Sequence, residues 1–278
     1  MKIQYPVMRY HGGKFRLAPW VMGFFPEHHT YVEPFGGAAG ILMQKKPSQS
    51  EVYNDLDGDI VNVFRVLQNP ELSTQLTEKL RVTPYAREEF VTSYEESTDP
   101  VEQARRTLIR SSMAFGSGGA TKNRSGFRVD SARNGTAAQL WPKYPALIKQ
   151  FCDRLQGVII ENKDAIGVIE NHDRQDTLFY VDPPYVLNTR RAGSKTKIYR
   201  HEMTDDQHQD LIQALVNIKG FVVLSGYDNE AYNDLLQGWE KHQKEATIAG
   251  NRGSSTRTEC LWLNPACAEI QPQMKLFG

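Results

Sequence analysis

At 278 residues, with 40% hydrophobic and 24% charged residues, the chain has the composition of one large or two modest globular domains, neither disordered nor fibrous. Its 33 basic residues balance 33 acidic ones, which excludes a chain that is basic throughout and requires any polyanion site to arise from local segregation of charge. Three cysteines without a CxxC pair, an N-terminus without a leader's apolar run and no apolar stretch of ~18 residues argue against a disulfide framework, a thiolate zinc site or a membrane span, and predict a reducing, cytoplasmic setting.

Thr30, Tyr31 and Val32 predict a short strand that ends at Glu33-Pro34. A glycine-rich turn over 35–40 follows, and then an expected helix through Ile41, Leu42 and Met43. Residues 51–54 predict a second strand, and the spacing of Ile60, Val63, Phe64 and Leu67 a helix after it. From 71 to 149 this rhythm breaks. Helical patterns around 101–113 and 137–155 flank a Gly- and Ser-rich stretch over 116–135, predicting an inserted, mainly helical subdomain between the two parts, 1–70 and 150–278, of the main domain. Short apolar runs at 157–160, 177–181 and 221–224 then read as buried parallel strands. Thr204 and Gln207 form a capping box before a helix carrying Leu211, Ile212 and Leu215. The expected fold class is α/β, a doubly wound Rossmann-like sheet.

Charge is unevenly spread. Residues 105–143 hold eight basic residues against one acid, Asp130, whereas 71–99 hold three against seven. A second run, 190–200, has five basic residues and no acid. Such clustering in a neutral chain is the electrostatic footprint of phosphate binding, although either run alone also fits a solvated face.

The turn over 35–40 lacks the GxGxxG spacing of a pyrophosphate loop, and Glu33 directly before it would repel a pyrophosphate. A carboxylate there suits a cationic ligand, an amino group or a sulfonium, and so favours S-adenosylmethionine over NAD. Asp55 ends the next strand close to the ~20-residue offset at which nucleotide folds present a carboxylate to ribose. Asp57 is the alternative, or caps the following helix. Downstream, Val181-Asp182-Pro183-Pro184-Tyr185 closes a buried strand. The two prolines end the strand firmly, leaving the Asp182 side chain and the Pro183 carbonyl at the carboxyl edge of the sheet, where α/β ligands bind, with Tyr185 as a flat face beside them.

With these motifs the chain resembles, over nearly its full length, the N6-adenine DNA methyltransferases of the Dam type, whose motif order sets the target-recognition region inside the chain. Residues 9–14, Arg-Tyr-His-Gly-Gly-Lys, are similar to the family's aromatic-x-Gly-Gly-Lys motif, which implies cofactor contacts from Tyr10 and Lys14. Glu33, Pro34, Phe35 and Gly37 resemble the cofactor loop, with Ala39 where the family has its second glycine. The resemblance assigns Asp55 to the ribose and Asp164, otherwise a helix cap, to the cofactor adenine. Residues 121–128 resemble a family hairpin with a basic residue and an aromatic around a glycine, but Phe127-Arg128-Val129-Asp130 departs from the Phe-Asn-Val-Pro of GATC readers. A different or relaxed site is therefore expected.

The resemblance implies an enzyme that moves a methyl group from S-adenosylmethionine to adenine N6 in double-stranded DNA, in the cytoplasm of a bacterial or phage-infected cell. Asp182, Pro183 and Tyr185 are the implied catalytic residues, and Asp182 also borders the cofactor. Lys122, Asn123, Arg124, Arg128, Arg133, Arg190 and Arg191 are the candidates for DNA contact. No metal is expected, since His28, His29 and His208 lack ligand spacing with Cys or carboxylates, and nothing calls for an obligate protein partner. Methylation of RNA or a protein amide, or a non-catalytic DNA-binding module on the same fold, are the competing readings. Related protein-glutamine enzymes carry Asn where Asp182 stands, and a non-catalytic copy has no reason to keep Asp182, Lys14 and Asp55 together.

Overall fold

The computed structural model describes residues 3–122, 124–129, 136–186, 199–250 and 253–276. Asn123, Arg133, Arg190 and Arg191 lie outside the described residues.

Five strands run parallel: β1 (Thr30–Glu33), β2 (Ser50–Asn54), β3 (Val158–Glu161), β4 (Thr177–Val181) and β5 (Phe221–Tyr227). Two more, β6 (Glu240–Gly250) and β7 (Gly253–Leu263), form a hairpin whose β7 lies antiparallel to β5. The order across the sheet is β3-β2-β1-β4-β5-β7-β6. Neighbouring residues on a strand point to opposite faces. Thus Tyr31, Tyr53, Leu178 and Leu261 join one apolar cluster, while Val32, Val52, Phe179 and Trp262 join another. Both faces are covered, as the doubly wound reading requires. β4 sits at the centre with every residue buried, which is why its sequence is a continuous apolar run.

Caps fix the helices after the strands. Asp57 caps α1 (Gly58–Gln68) by accepting from the Asp59 amide at 3.0 Å. Thr204 and Gln207 close the expected capping box on α2 (Asp205–Val216). Asp164 accepts from the Ile166 amide at 3.0 Å and caps α3 (Ala165–His172).

Two local expectations fail for identifiable reasons. Residues 34–45 form successive turns rather than a helix. Gly37 and Ala39 hold φ of 48° and 53°, and the Leu42 amide donates to Glu33 instead of a carbonyl four residues back. The expected helix over 137–155 is broken into Ala137–Leu140, a 3-10 stretch over Trp141–Leu147 and α4 (Ile148–Leu155). Pro142 and Pro145 remove amide donors there. The sequence reading also passed over β6. Its Glu240-Lys241-His242-Gln243-Lys244-Glu245 start is polar because it pairs only with β7 and forms the sheet edge.

Residues 71–149 are largely helical, and α5 (Pro100–Met113) is their longest element. Leu76, Phe90, Leu108 and Trp141 from this stretch belong to the same apolar cluster as Tyr31 and Tyr53 of the sheet. Gln103 on α5 also donates to Asp59 on α1 at 2.8 Å. Among the described residues no helix is long and apolar enough to cross a membrane.

Candidate active site

β1 and β4 are neighbours in the sheet, while the chain leaves β1 towards β2 on the other side. Their carboxyl ends therefore flank a topological switch point, the place where open α/β sheets bind ligands. A cavity of about 280 Å³ opens here. Every cofactor candidate named from the sequence lines it: Tyr10, Lys14, Glu33, Pro34, Phe35, Gly37, Asp55, Asp164 and Asp182.

The turn after β1 is held by its neighbours. Gly37 is left-handed, and a Cβ there would lie 2.8 Å from the Tyr10 ring, so both conformation and space demand glycine. Its amide donates to Asp55 at 2.8 Å, and its carbonyl accepts from the Tyr53 hydroxyl at 2.7 Å. Asp55 also accepts from the Asp57 amide at 2.8 Å. Burial pushes its carboxyl up to about 6 against those amide bonds, with Asp57 adding to the rise. Asp57, the alternative ribose ligand, also lines the cavity, with its Oδ1 capping α1.

Glu33 is buried at the end of β1, and one of its oxygens accepts from the Tyr31 hydroxyl and the Leu42 amide, both at 3.1 Å. Burial raises its carboxyl to about 8; those bonds oppose the rise and nearby Asp182 adds to it. Although Lys45 opposes the rise from farther off, no cation among the described residues lies within 4 Å of Glu33 to form an ion pair. Beside it Tyr180 of β4 lines the cavity, and its buried hydroxyl has no hydrogen-bond partner among the described residues.

Asp182 follows β4 directly. Both its oxygens accept from Lys14 Nζ at 3.1 Å, and Lys14 also donates to the Gly12 carbonyl at 2.8 Å. Burial opposes the lysine charge, but Asp182 and Glu259 outweigh it and raise the Lys14 pKa. Pro184 lines the cavity with Asp182, whereas Pro183 and Tyr185 do not. The Tyr185 ring instead carries the Lys14 ammonium 4.7 Å from its centroid, and its hydroxyl meets Ser225 Oγ at 2.9 Å and Glu259 Oε2 at 2.8 Å. Glu259 lies on β7, outside every motif that the sequence marked. Only the β5–β7 pairing, which sets Glu259 opposite Tyr227, brings it here.

The cavity is also lined by a segment that the sequence marked only through its charge. Tyr199 and Arg200, at the end of the second basic run, form part of its wall. The Tyr199 hydroxyl donates to the His11 carbonyl at 3.2 Å, and a Cβ on left-handed Gly12 would lie 2.5 Å from that hydroxyl. Arg200 reaches Asp57 at 3.4 Å and Asp59 at 3.2 Å.

The first basic run looks different in three dimensions. Arg105 pairs with Glu102 and Glu89, Arg106 with Glu102, and fully buried Arg110 lies 3.7 Å from Asp59. Lys122, a DNA candidate, pairs with Asp59 at 3.1 Å and Glu96 at 3.2 Å. Much of the segment's charge is therefore answered by acids beyond it. Arg124 and Arg128 have no carboxylate within 4 Å among the described residues, and Arg124 is exposed. The loop carrying them closes through an antiparallel bridge between Ala114 and Phe127, and Ser117 in it meets His11 of the cavity wall at 3.2 Å.

A family model for D12 class N6 adenine-specific DNA methyltransferases matches residues 10–249. Two relatives described as DNA adenine methylase, from the Classical Ogawa and El Tor Inaba strains of Vibrio cholerae serotype O1, are each 20% identical over 268 residues, covering 93% of this chain and 94% of theirs. A solved structure of a precorrin 8w decarboxylase from Methanobacterium thermoautotrophicum aligns over 90% of this chain and 89% of its own, at 10% identity and a TM-score of 0.35, too loosely to bear on the fold. With the family's pattern running through both the cavity wall and the strand-end motif, the chain belongs to the D12 class N6 adenine-specific DNA methyltransferases.

Proposed function

We propose that this chain methylates adenine N6 in double-stranded DNA on a base turned out of the helix, with Asp182 and the Pro183 carbonyl as the groups that receive the amine. The observation that carries the reading is Asp182 at the carboxyl end of β4, in the wall of the switch-point cavity. When bound, S-adenosylmethionine supplies an activated methyl on a sulfonium. The chain must make a weak nucleophile react. The adenine amine's lone pair is delocalised into the ring, and attack leaves positive charge on nitrogen. Acceptors at its two N–H bonds favour a pyramidal nitrogen and stabilise that charge. One N–H proton is lost after transfer, with Asp182 in reach as its acceptor.

The cavity chemistry fits the cofactor. Glu33 offers a negative charge to its amino group or sulfonium, and Asp55 and Asp164 keep acceptor lone pairs at the far wall. The buried Tyr180 hydroxyl in the cavity wall is a further polar contact for a bound ligand. A methyl-transfer assay with isotope-labelled cofactor on unmethylated duplex DNA, RNA and protein tests the whole reading. Label confined to N6-methyladenine in duplex DNA is expected, and label in RNA or protein overturns it.

Glu33 provides an independent check. At pH 7 a carboxyl pushed up to about 8 is mostly protonated, and a cation set beside it makes it ionise. Cofactor binding should therefore release protons. Because the raised group favours the protonated folded state, the cofactor-free protein should lose stability as pH rises from about 4.5 to about 8. Calorimetric titration in two buffers of different ionisation enthalpy should give different apparent enthalpies for the wild type. Glu33→Gln should remove most of that difference and weaken binding. The same buffer dependence in both proteins would take Glu33 out of the cofactor's cationic end.

DNA contact falls to the basic residues that the fold leaves without acids. Arg124→Ala should flatten the slope of log affinity against log salt by about one unit, measured from about 50 to 200 mM salt. Lys122→Ala should leave that slope in place and lower stability instead, since Asp59 loses a partner. A flattened slope for Lys122→Ala alone would reverse the assignment. Phe115 and Val129, 51% and 70% exposed on the same loop, give this face an apolar component suited to bases.

A further inference from the structure

We propose that Glu259 is a positioning residue for methyl transfer, holding the Tyr185 hydroxyl and receiving the Lys14 ammonium when the target amine takes Asp182. This inference rests on the reading of Asp182 as the amine's acceptor. In the structure Lys14 stands in the amine's way twice. It bonds both Asp182 oxygens at 3.1 Å, and it covers the Tyr185 ring at 4.7 Å. An adenine that donates to Asp182 and stacks on Tyr185 needs one of those oxygens and that ring. Lys14 competes with the amine for those oxygens and must leave the ring face that it covers.

Its side chain is only 5% exposed, so the ammonium cannot retreat into water. Leaving it buried without an anion is costly. Among the described residues, Asp182 and Glu259 are the carboxylates within 4 Å of Lys14 Nζ, with Glu259 Oε2 at 3.9 Å. A shift of about one ångström brings that pair to hydrogen-bonding distance. Glu259 belongs to β7, outside the strand-end motif, and is itself buried. Two carboxylates sharing one ammonium also leave a surplus negative charge where positive charge develops on the amine.

The two roles of Glu259 are separable. The Tyr185 hydroxyl needs only an acceptor, and Ser225 also meets it at 2.9 Å. Lys14 needs a negative charge. Glu259→Gln keeps size and acceptor but loses the charge. Its single-turnover rate on saturating DNA should fall about 10- to 100-fold, the size of a hydrogen bond to a charged group. Cofactor Kd should stay within about twofold, since no cofactor contact is removed. Glu259→Asp keeps the charge and should recover part of the rate. In a Lys14→Met background, Glu259→Gln should add no further loss, because it acts through that lysine.

A wild-type rate in Glu259→Gln, equal impairment of the Gln and Asp variants, or losses that multiply in the double variant would each overturn the proposal. Failure of the underlying reading looks different, because Asp182→Asn would then retain activity. An inactive Asp182→Asn beside a fully active Glu259→Gln removes only the role of Glu259.

Discussion

Asp182→Ala is expected to abolish methyl transfer while cofactor binding persists. Loss of one preorganised partner of a charge that develops in the transition state costs about 3–4 kcal/mol, or 10²–10³ in rate. Here the loss is compounded, because Lys14 donates to both Asp182 oxygens and is buried beneath them. Removing the carboxylate leaves that ammonium with Glu259 as the one nearby anion among the described residues, so Asp182→Ala should also melt at lower temperature. Asp182→Asn is the cleaner variant: it preserves volume and one acceptor and removes the charge that faces the reacting nitrogen. Single-turnover assays with both variants, alongside cofactor titration, separate chemistry from binding. A rate within tenfold of wild type in Asp182→Asn would sink the assignment.

The largest expected effect on stability lies away from the cavity, where Lys45, Glu51 and Arg154 share one buried cluster. Glu51 Oε1 accepts from Lys45 at 2.6 Å and from Arg154 at 2.9 Å, while Oε2 accepts from Arg154 at 2.6 Å. Glu51 lies on β2 and Arg154 on α4, so the cluster ties α4 to the sheet. Lys45 adds a bond to Ser48 at 2.7 Å and lies 4.5 Å over the Tyr31 ring. Burial works against the charge on Glu51, but its bonds to Arg154 and Lys45 prevail and hold its carboxyl below the usual range.

Glu51→Ala removes the shared anion and leaves two cations buried, which costs about 3–5 kcal/mol. For a chain of this size that is a drop of roughly 6–20 °C in Tm. The depressed carboxyl fixes the sign of the pH effect. The stability from this group is full above about pH 4.5 and is lost as pH falls through its folded value. Urea unfolding at neutral and acidic pH reads both effects, and the gap between wild type and Glu51→Ala should narrow in acid. A triple replacement of Lys45, Glu51 and Arg154 by apolar residues of similar volume should recover most of the loss. An unchanged Tm in Glu51→Ala would mean that the cluster is solvated and carries no such weight.

By itself the amino-acid sequence determined the elements whose signals are local. The apolar runs at β1, β4 and β5, the capping box at Thr204 and the Asp-Pro-Pro-Tyr stop after β4 all act within a few residues of themselves. These signals located the carboxyl edge of the sheet, and hence the cavity wall. Tertiary structure decided what depends on neighbours distant in the chain. The positive run over 105–143 met part of its counterions one helical turn away at Glu102 and the rest on α1 and in the acidic stretch before it, because Coulomb pairing follows distance in space. Glu259 came to Lys14 and Tyr185 through a strand that pairs backwards, and Tyr199 and Arg200 joined the cavity wall although they lie well beyond the strand-end motif in sequence. Residues 34–45 turn rather than forming a regular helix, with Gly37 and Ala39 held left-handed where the loop packs against Tyr10 and Asp55. Local periodicity carries no record of such contacts, since they form only when the partners are packed side by side.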